Sequence, residues 1–243
     1  MNYKLELCYN GKNYNGYQIQ PKLKTIQGEL EEALSKIFLC EIKTIASGRT
    51  DAMVSAIKQV VNFQTDKKIS EYSLLSRLNL ILPSDIKVTS VSYVSDNFNA
   101  RFSAKKKTYA YNFYLSRVNN PYYDDFCYKV SYKLNLEKFK TELNSIVGSH
   151  DFTAFSSSDT QVENKERTIY SVNLKQVGDI YTVVITGNGF LKNMIRIIMG
   201  TLFDIARGKI KNNMLQILES KNRSMAGKTA GAVGLVLVDV NYD

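Results

Sequence analysis

The sequence is poor in the side chains that hold metals or carry redox chemistry. His150 is the only histidine, which excludes a multi-histidine metal site and argues against Ser-His-Asp chemistry. Cys8, Cys40 and Cys127 are odd in number, far apart and without CxxC spacing, so they read as reduced structural thiols, and no metal is expected. No apolar run approaches the roughly 20 residues that a membrane span needs. The opening MNYKLELCYN lacks the apolar centre of a signal peptide, and a cytoplasmic protein with no membrane partner is expected. Helix-turn-helix and zinc-finger patterns are missing too, which leaves a DNA-binding reading without a signature.

What is present is a folded, basic chain. Its 243 residues are 44% apolar, enough for one large domain or two fused halves with a substantial core. The formal net charge is +9, with clusters at Lys22–Lys24, Lys67–Lys68 and Lys105–Lys107, alongside 16 tyrosines and 11 phenylalanines. Such a composition fits a solvated basic surface. It fits equally a polyanion held through its phosphates and by aromatic stacking.

Periodicity predicts mixed α and β structure. Tyr3, Leu5, Leu7 and Tyr9 alternate as in a strand. Thr25 caps an expected helix with Ile26, Leu30, Ala33, Leu34, Ile37 and Phe38 on one face. Strands are expected over 57–64, 86–94, 107–115, 167–177, 180–186 and 234–242, with a turn at Gly178-Asp179. Helices are expected over 70–80, stopped before Pro83, over 136–147 behind an Asn135 cap, and over 190–207, closed by Gly208. In the second of these, Leu136, Phe139, Leu143, Ile146 and Val147 are expected to face inward. Hairpin-like pairs among the alternating elements favour an α+β fold over a purely parallel one: two related halves sharing a mixed, mainly antiparallel sheet with packed helices. The expected division is 1–100 and 101–243.

Three segments could carry chemistry. Gly48-Arg49-Thr50-Asp51 reads first as a turn, with Gly for unusual dihedrals and Asp as a cap. As a site, it offers Asp51 as a nucleophile or base that needs no cofactor. In FLKNMIRIIMGTLFDIARG a polar stripe of Asn193, Arg196, Gly200, Asp204 and Arg207 interrupts a wide apolar face. It reads first as a solvated stripe. The alternative turns Arg196 into a cleft, where a guanidinium needs a carboxylate partner such as Asp51. In KKKTYAYNFYL, Tyr109, Tyr111 and Phe113 share a strand face, either as sheet packing or with one ring free to stack on a base.

Taken in order, YNGKNYNGYQIQP (9–21), TIQGELEEAL (25–34), SGRTDAMVSA (47–56), FNARFSAKKKTYAY (98–111), GSHDFTAF (148–155), GNGFLKNMIR (187–196) and RSMAGKTAGAVGL (223–235) resemble the TruA family of tRNA pseudouridine synthases. The resemblance covers nearly the whole chain. It implies a cofactor-free, metal-free isomerisation of uridine to pseudouridine in tRNA, in the anticodon stem-loop at positions 38–40. It also implies the pseudouridine synthase fold, with an RNA-binding cleft. Asp51 corresponds to the essential Asp of the family's GRTD loop. Tyr109 corresponds to the Tyr that stacks on the target base and assists proton transfer, and Arg196 to the Arg that pairs with the catalytic Asp. Arg49 corresponds to the Arg that positions or replaces the flipped nucleotide. Lys105, Lys106, Lys107 and Lys192 are expected to contact RNA phosphates. Bacterial members are homodimers, so a homodimer on tRNA is implied.

The chain departs from the family pattern at several places. Met53 stands where a Gly is usual, Ser55 and Asn99 where His is frequent, Tyr17 where Trp is frequent, and Gly231 where Pro is frequent. If position 53 needs a positive φ, Met strains it. Two further readings therefore stand beside the leading one. One is a synthase acting on another tRNA site or on ribosomal RNA. The other is a catalytically silent RNA-binding or RNA-chaperone protein.

Overall fold

The computed structural model describes residues 1–160 and 162–243. The backbone divides into two compact units, residues 1–105 with 236–243, and residues 106–235. Both are α+β.

The first unit begins with β1 (Asn2–Tyr9), whose Tyr3, Leu5, Leu7 and Tyr9 are all buried, as the alternation predicts. α1 (Ile26–Phe38) starts where the Thr25 side chain accepts the Gly28 N–H and ends at Leu39 in the left-handed region, φ 54°. β2 (Ile45–Ala46) and β3 (Ser55–Gln64) follow, then α2 (Glu71–Ile81), capped by Ser70, and β4 (Ile86–Val94). β1 lies between β3 and β4, antiparallel to both. The end of the chain returns to this unit, where Val236 and Leu237 pair in parallel with Ser55 and Ala56. The core is aromatic: Tyr3 stacks on Phe63 at 5.1 Å, and Phe38 meets both rings edge-on.

The second unit is built on β5 (Lys106–Leu115). β5 pairs with the short parallel β6 (Tyr128–Val130) and, antiparallel, with β9 (Ile180–Gly187). β9 continues antiparallel to β8 (Glu166–Val177), and β8 to β7 (Gly148–Asp151). The β8–β9 hairpin turns at Gly178, whose φ of 57° suits the first position of a two-residue turn. Helices α3 (Leu136–Asn144), α4 (Met194–Ala206) and α5 (Met214–Ser220) complete the unit, and β10 (Leu235–Asn241) begins at its last residue. Phe113, Phe139, Tyr181 and Phe203 cluster between α3, α4 and the strands. Much of the aromatic content therefore builds cores rather than stacking surfaces.

Four expectations need correction. α3 ends at Asn144 rather than running to residue 147, and Val147 is exposed, because Ser145 N–H closes the last turn on Thr141 O and the chain leaves for β7. α4 begins at Met194 rather than at 190, because Asn193 sits in the left-handed region at φ 60°. Cys40 is exposed past α1, whereas Cys127 is buried, which pushes its thiol up to about 11. The polar stripe of α4 is covered rather than solvated at Gly200 and Asp204, while Arg207 past the helix end is exposed. Asp204 is 5% exposed, and a Cβ on Gly200 would lie 1.7 Å from Lys228 O. Segment 227–230 lies along it, with Gly227 N–H donating to Thr201 Oγ1 at 2.9 Å and Ala230 N–H to Arg196 O at 3.0 Å.

Candidate active site

In the first unit, the loop carrying Arg49 and Asp51 is fastened from beneath. Ser47 N–H donates to Val60 O at 2.8 Å, and Ser47 Oγ to Gln59 Oε1 at 2.6 Å. Gln59 Nε2 donates to Gly48 O at 2.9 Å. Thr50 is tied twice: Tyr17 N–H reaches its carbonyl at 3.0 Å, and its hydroxyl bonds Tyr9 Oη at 2.8 Å. Burial pushes the Tyr9 phenol up to about 12, so it stays protonated and able to bond at neutral pH. Each such bond is worth about 1 kcal/mol net, but leaving any of these buried groups unpaired costs more.

Above this base Asp51 is half-buried and Arg49 exposed. The neighbouring segment 11–17 closes against the loop. A Cβ on Gly11 would lie 2.1 Å from Val54 O, so only glycine allows that approach. Tyr9 and Gln59 were not among the expected site residues. Gln59 could have been noticed as an amide inside an apolar strand, since a buried amide needs partners.

Asp51 also opens a turn. Val54 N–H donates to Asp51 O at 3.1 Å, with Met53 at the third position and φ 65°. A type II turn requires positive φ there and favours glycine. The strain anticipated for Met53 is therefore real, in the range of 1–2 kcal/mol for a left-handed non-glycine residue. Replacing Met53 with Gly relieves it but adds freedom to the unfolded chain. The expected net gain is about 1 kcal/mol, or roughly 2–4 °C in Tm for a chain of this size. Thermal unfolding of Met53→Gly measures it, and an unchanged or lower Tm refutes the strain.

In the second unit, Tyr109 lies on β5, 8% exposed, with its ring edge-on to Phe190 at 5.3 Å. Arg196 is half-buried in the first turn of α4. Its Nε donates to Ala230 O at 2.9 Å and its Nη1 to Asn193 Oδ1 at 2.8 Å. Asn193 Nδ2 donates in turn to Ser157 Oγ at 3.0 Å. Tyr111, on the strand face read first as sheet packing, donates its hydroxyl to Gly231 O at 2.8 Å. Burial pushes that phenol well up, which keeps the donor intact. Arg196 and Tyr111 thus hold neighbouring carbonyls of one segment, and the guanidinium is set in a fixed plane.

The lysines differ among themselves. Lys105 and Lys106 are exposed, and Lys106 Nζ sits 5.5 Å from the Tyr170 ring centroid. Lys107 is half-buried. Lys192 bonds Asp159 at 2.5 Å at the surface and holds that carboxyl below its usual range. A phosphate at Lys192 must compete with this ion pair. His150 bonds Val147 O at 3.2 Å and packs edge-on to Phe152. Among the described residues no group of three or more His, Cys, Asp or Glu side chains is placed to hold a metal ion. No helix among them is long and apolar enough to cross a membrane.

Comparison with known proteins agrees across the chain. The family described as tRNA pseudouridine synthase matches residues 8–103 and 143–243. Proteins named tRNA pseudouridine synthase A are similar to the chain over nearly their whole lengths. The Anoxybacillus flavithermus protein is 43% identical over 242 residues, covering 99% of this chain and 98% of its own. The Bacillus subtilis protein is 41% identical over 246 residues and 100% of both chains. An Exiguobacterium protein is 40% identical over 241 residues, 99% of this chain and 97% of its own. With the GRTD loop in place, the match spanning both units and identity of this order end to end, the chain belongs to the TruA family of tRNA pseudouridine synthases.

Proposed function

We propose that this chain isomerises uridine to pseudouridine in tRNA, in the anticodon stem-loop at positions 38–40, with Asp51 as the essential carboxylate and no cofactor. Membership of a tRNA pseudouridine synthase family makes it an isomerase. The observation that supports Asp51 as the carboxylate is the loop. Its buried side is fully hydrogen-bonded through Tyr9, Ser47, Gln59 and Thr50, while Asp51 stands half-buried beside the turn. A carboxylate on so fixed a base suits attack or proton removal at one defined carbon.

The reaction breaks N1–C1′, turns the base and joins C5 to C1′. The proton on C5 is lost and N1 ends protonated. Asp51 serves either by attacking C1′ or by removing the C2′ proton to give a glycal. The target base leaves its stack at a cost of a few kcal/mol and needs a ring to receive it. Tyr109 supplies that ring, and its hydroxyl assists proton transfer. Arg196, fixed by Ala230 and Asn193, supplies the positive charge that pairs with the catalytic carboxylate. Arg49, exposed on the catalytic loop, positions or replaces the flipped nucleotide. Lys105, Lys106, Lys107 and Lys192 contact phosphates, and two copies of the chain hold one tRNA. The silent RNA-binding reading rests on Met53. The turn is nevertheless formed with its Val54–Asp51 hydrogen bond, which supports a working loop.

Tritium release from transcripts labelled at uracil C5, with total tRNA and ribosomal RNA offered separately, tests the reading. Release from tRNA alone supports it, and mapping the modified uridine tests the position. Release from ribosomal RNA alone, or from neither, overturns it. Tyr109→Phe keeps the ring and removes the proton-carrying hydroxyl. Turnover is expected to fall roughly a hundred-fold with RNA affinity unchanged. A normal rate would leave Tyr109 the stacking role only.

A further inference from the structure

Loop 95–105 of the first unit is held by side chains whose polarity a strand interior does not call for. Asn2 on β1 and Asn62 on β3 are 1% and 2% exposed. Asn2 Nδ2 donates to Ser95 O at 3.0 Å and Phe98 O at 2.9 Å. Asn62 Oδ1 accepts the Ala100 N–H at 2.8 Å, and its Nδ2 donates to Asn2 Oδ1 at 3.0 Å. Tyr242 Oη donates to Ala100 O at 2.8 Å, and its ring lies 5.0 Å from that of Phe98. At the end of the loop, Lys105 N–H donates to Asn241 O at 2.9 Å. A buried amide is costly unless its bonds are made. Both amides spend theirs on the loop and on each other.

The tip is just as tightly built. Asn99 Oδ1 accepts the N–H groups of Arg101 at 3.0 Å and Phe102 at 3.1 Å. Ser103 N–H returns to Asn99 O at 2.9 Å, and Asn99 N–H donates to Ser103 Oγ at 3.2 Å. What this scaffold presents is Phe102, 78% exposed, with the Arg101 guanidinium carbon 5.4 Å from its ring centroid. Folding gains little from a ring left in water. An aromatic face beside a guanidinium, on a loop that needs no further ordering, is suited to an unstacked base and its phosphate.

We propose that Arg101 and Phe102 form a fixed stacking platform for an unpaired nucleotide of the RNA substrate, apart from the uridine that is isomerised. The proposal rests on the reading of tRNA as substrate. Phe102 stacks on the base, and Arg101 takes the adjoining phosphate. The net charge of +9 and Lys105 at the foot of the loop favour a nucleic acid over an apolar protein surface.

The test is filter binding of an unmodified tRNA transcript, with tritium release on the same variants. Phe102→Ala is expected to raise Kd about ten-fold, within the range that stacked aromatics show. At saturating RNA kcat should be unchanged, so the loss appears in KM. Phe102→Trp should restore binding. Because the side chain is exposed, Tm should not move. Arg101→Ala should lower the salt slope by about one, and Phe102→Ala should leave it alone. An unchanged Kd for Phe102→Ala, or a loss that Trp does not restore, overturns the platform. So does a change in sedimentation for Phe102→Ala, which would make the ring a contact between copies of the chain. If the wild-type protein neither binds the transcript nor releases tritium, the substrate reading has failed. If it does both and Phe102→Ala matches it, only the platform falls.

Discussion

Asp51→Asn abolishes tritium release, by at least about a thousand-fold, and leaves RNA affinity within roughly two-fold. The amide is nearly isosteric with the carboxylate but is neither nucleophile nor base, so both chemical routes stop together. Hydrogen bonds through Tyr9, Ser47, Gln59 and Thr50 fasten the loop without using the charge, and the turn uses the backbone carbonyl of residue 51. Losing one negative charge near a polyanion does not weaken binding electrostatically. The measurement is tritium release and filter binding on one preparation, with Tm as a control for folding. Full turnover in the variant would remove Asp51 from the mechanism. Lost turnover with lost binding would instead show that the loop had collapsed.

Gly200→Ala carries the largest expected effect on stability. The added Cβ would stand 1.7 Å from Lys228 O and 3.2 Å from Ala230 N, against backbone rather than a flexible side chain. Something must shift, and the neighbours resist. Segment 227–230 is tied to α4 by the Gly227–Thr201 and Ala230–Arg196 hydrogen bonds. Overpacking of this kind costs about 1–3 kcal/mol and sometimes more, or a fall of several degrees in Tm. The same shift moves Ala230 O, which holds Arg196 Nε at 2.9 Å. Turnover should therefore fall although no reactive group has changed. Thermal unfolding and tritium release check both halves. An unaltered Tm would mean that the segment gives way freely, and then the Arg196 geometry is not fixed by it.

The legible parts of the fold share one property: their signals are local. Thr25 and Asn135 cap the helices they were expected to cap, and Ser70, read as the first residue of its helix, is that helix's cap. Alternation placed β1, and β4 spans residues 86–94 as expected. α5 escaped notice although Asn213 and Gln216 form a reciprocal capping box, a pattern visible in the sequence. β2, β6 and β7 are two to four residues long, too short for any period to show.

The candidate site was legible to the extent that the residues proposed for it lie in recognisable segments. Asp51, Tyr109 and Arg196 were named from GRTD, KTYAY and FLKNMIR. Their supports were not named. Tyr9 lies 41 residues from the Thr50 it bonds, and Tyr111 lies 120 residues from Gly231. No spacing rule connects positions so far apart.

By itself the sequence determined the α+β class, strand faces and most helix caps, and the family, and it named the candidate site residues, because propensity, periodicity and motif act over a few residues. Only the tertiary structure decided that Met53 stands at φ 65°. Only it showed that segment 227–230 covers the polar stripe of α4, and that Asn2 and Asn62 hold the loop that presents Phe102. Each of these depends on which remote backbone a residue meets. Whether a polar face is wet or covered, or an amide paired or orphaned, is settled by the chain that folds back over it.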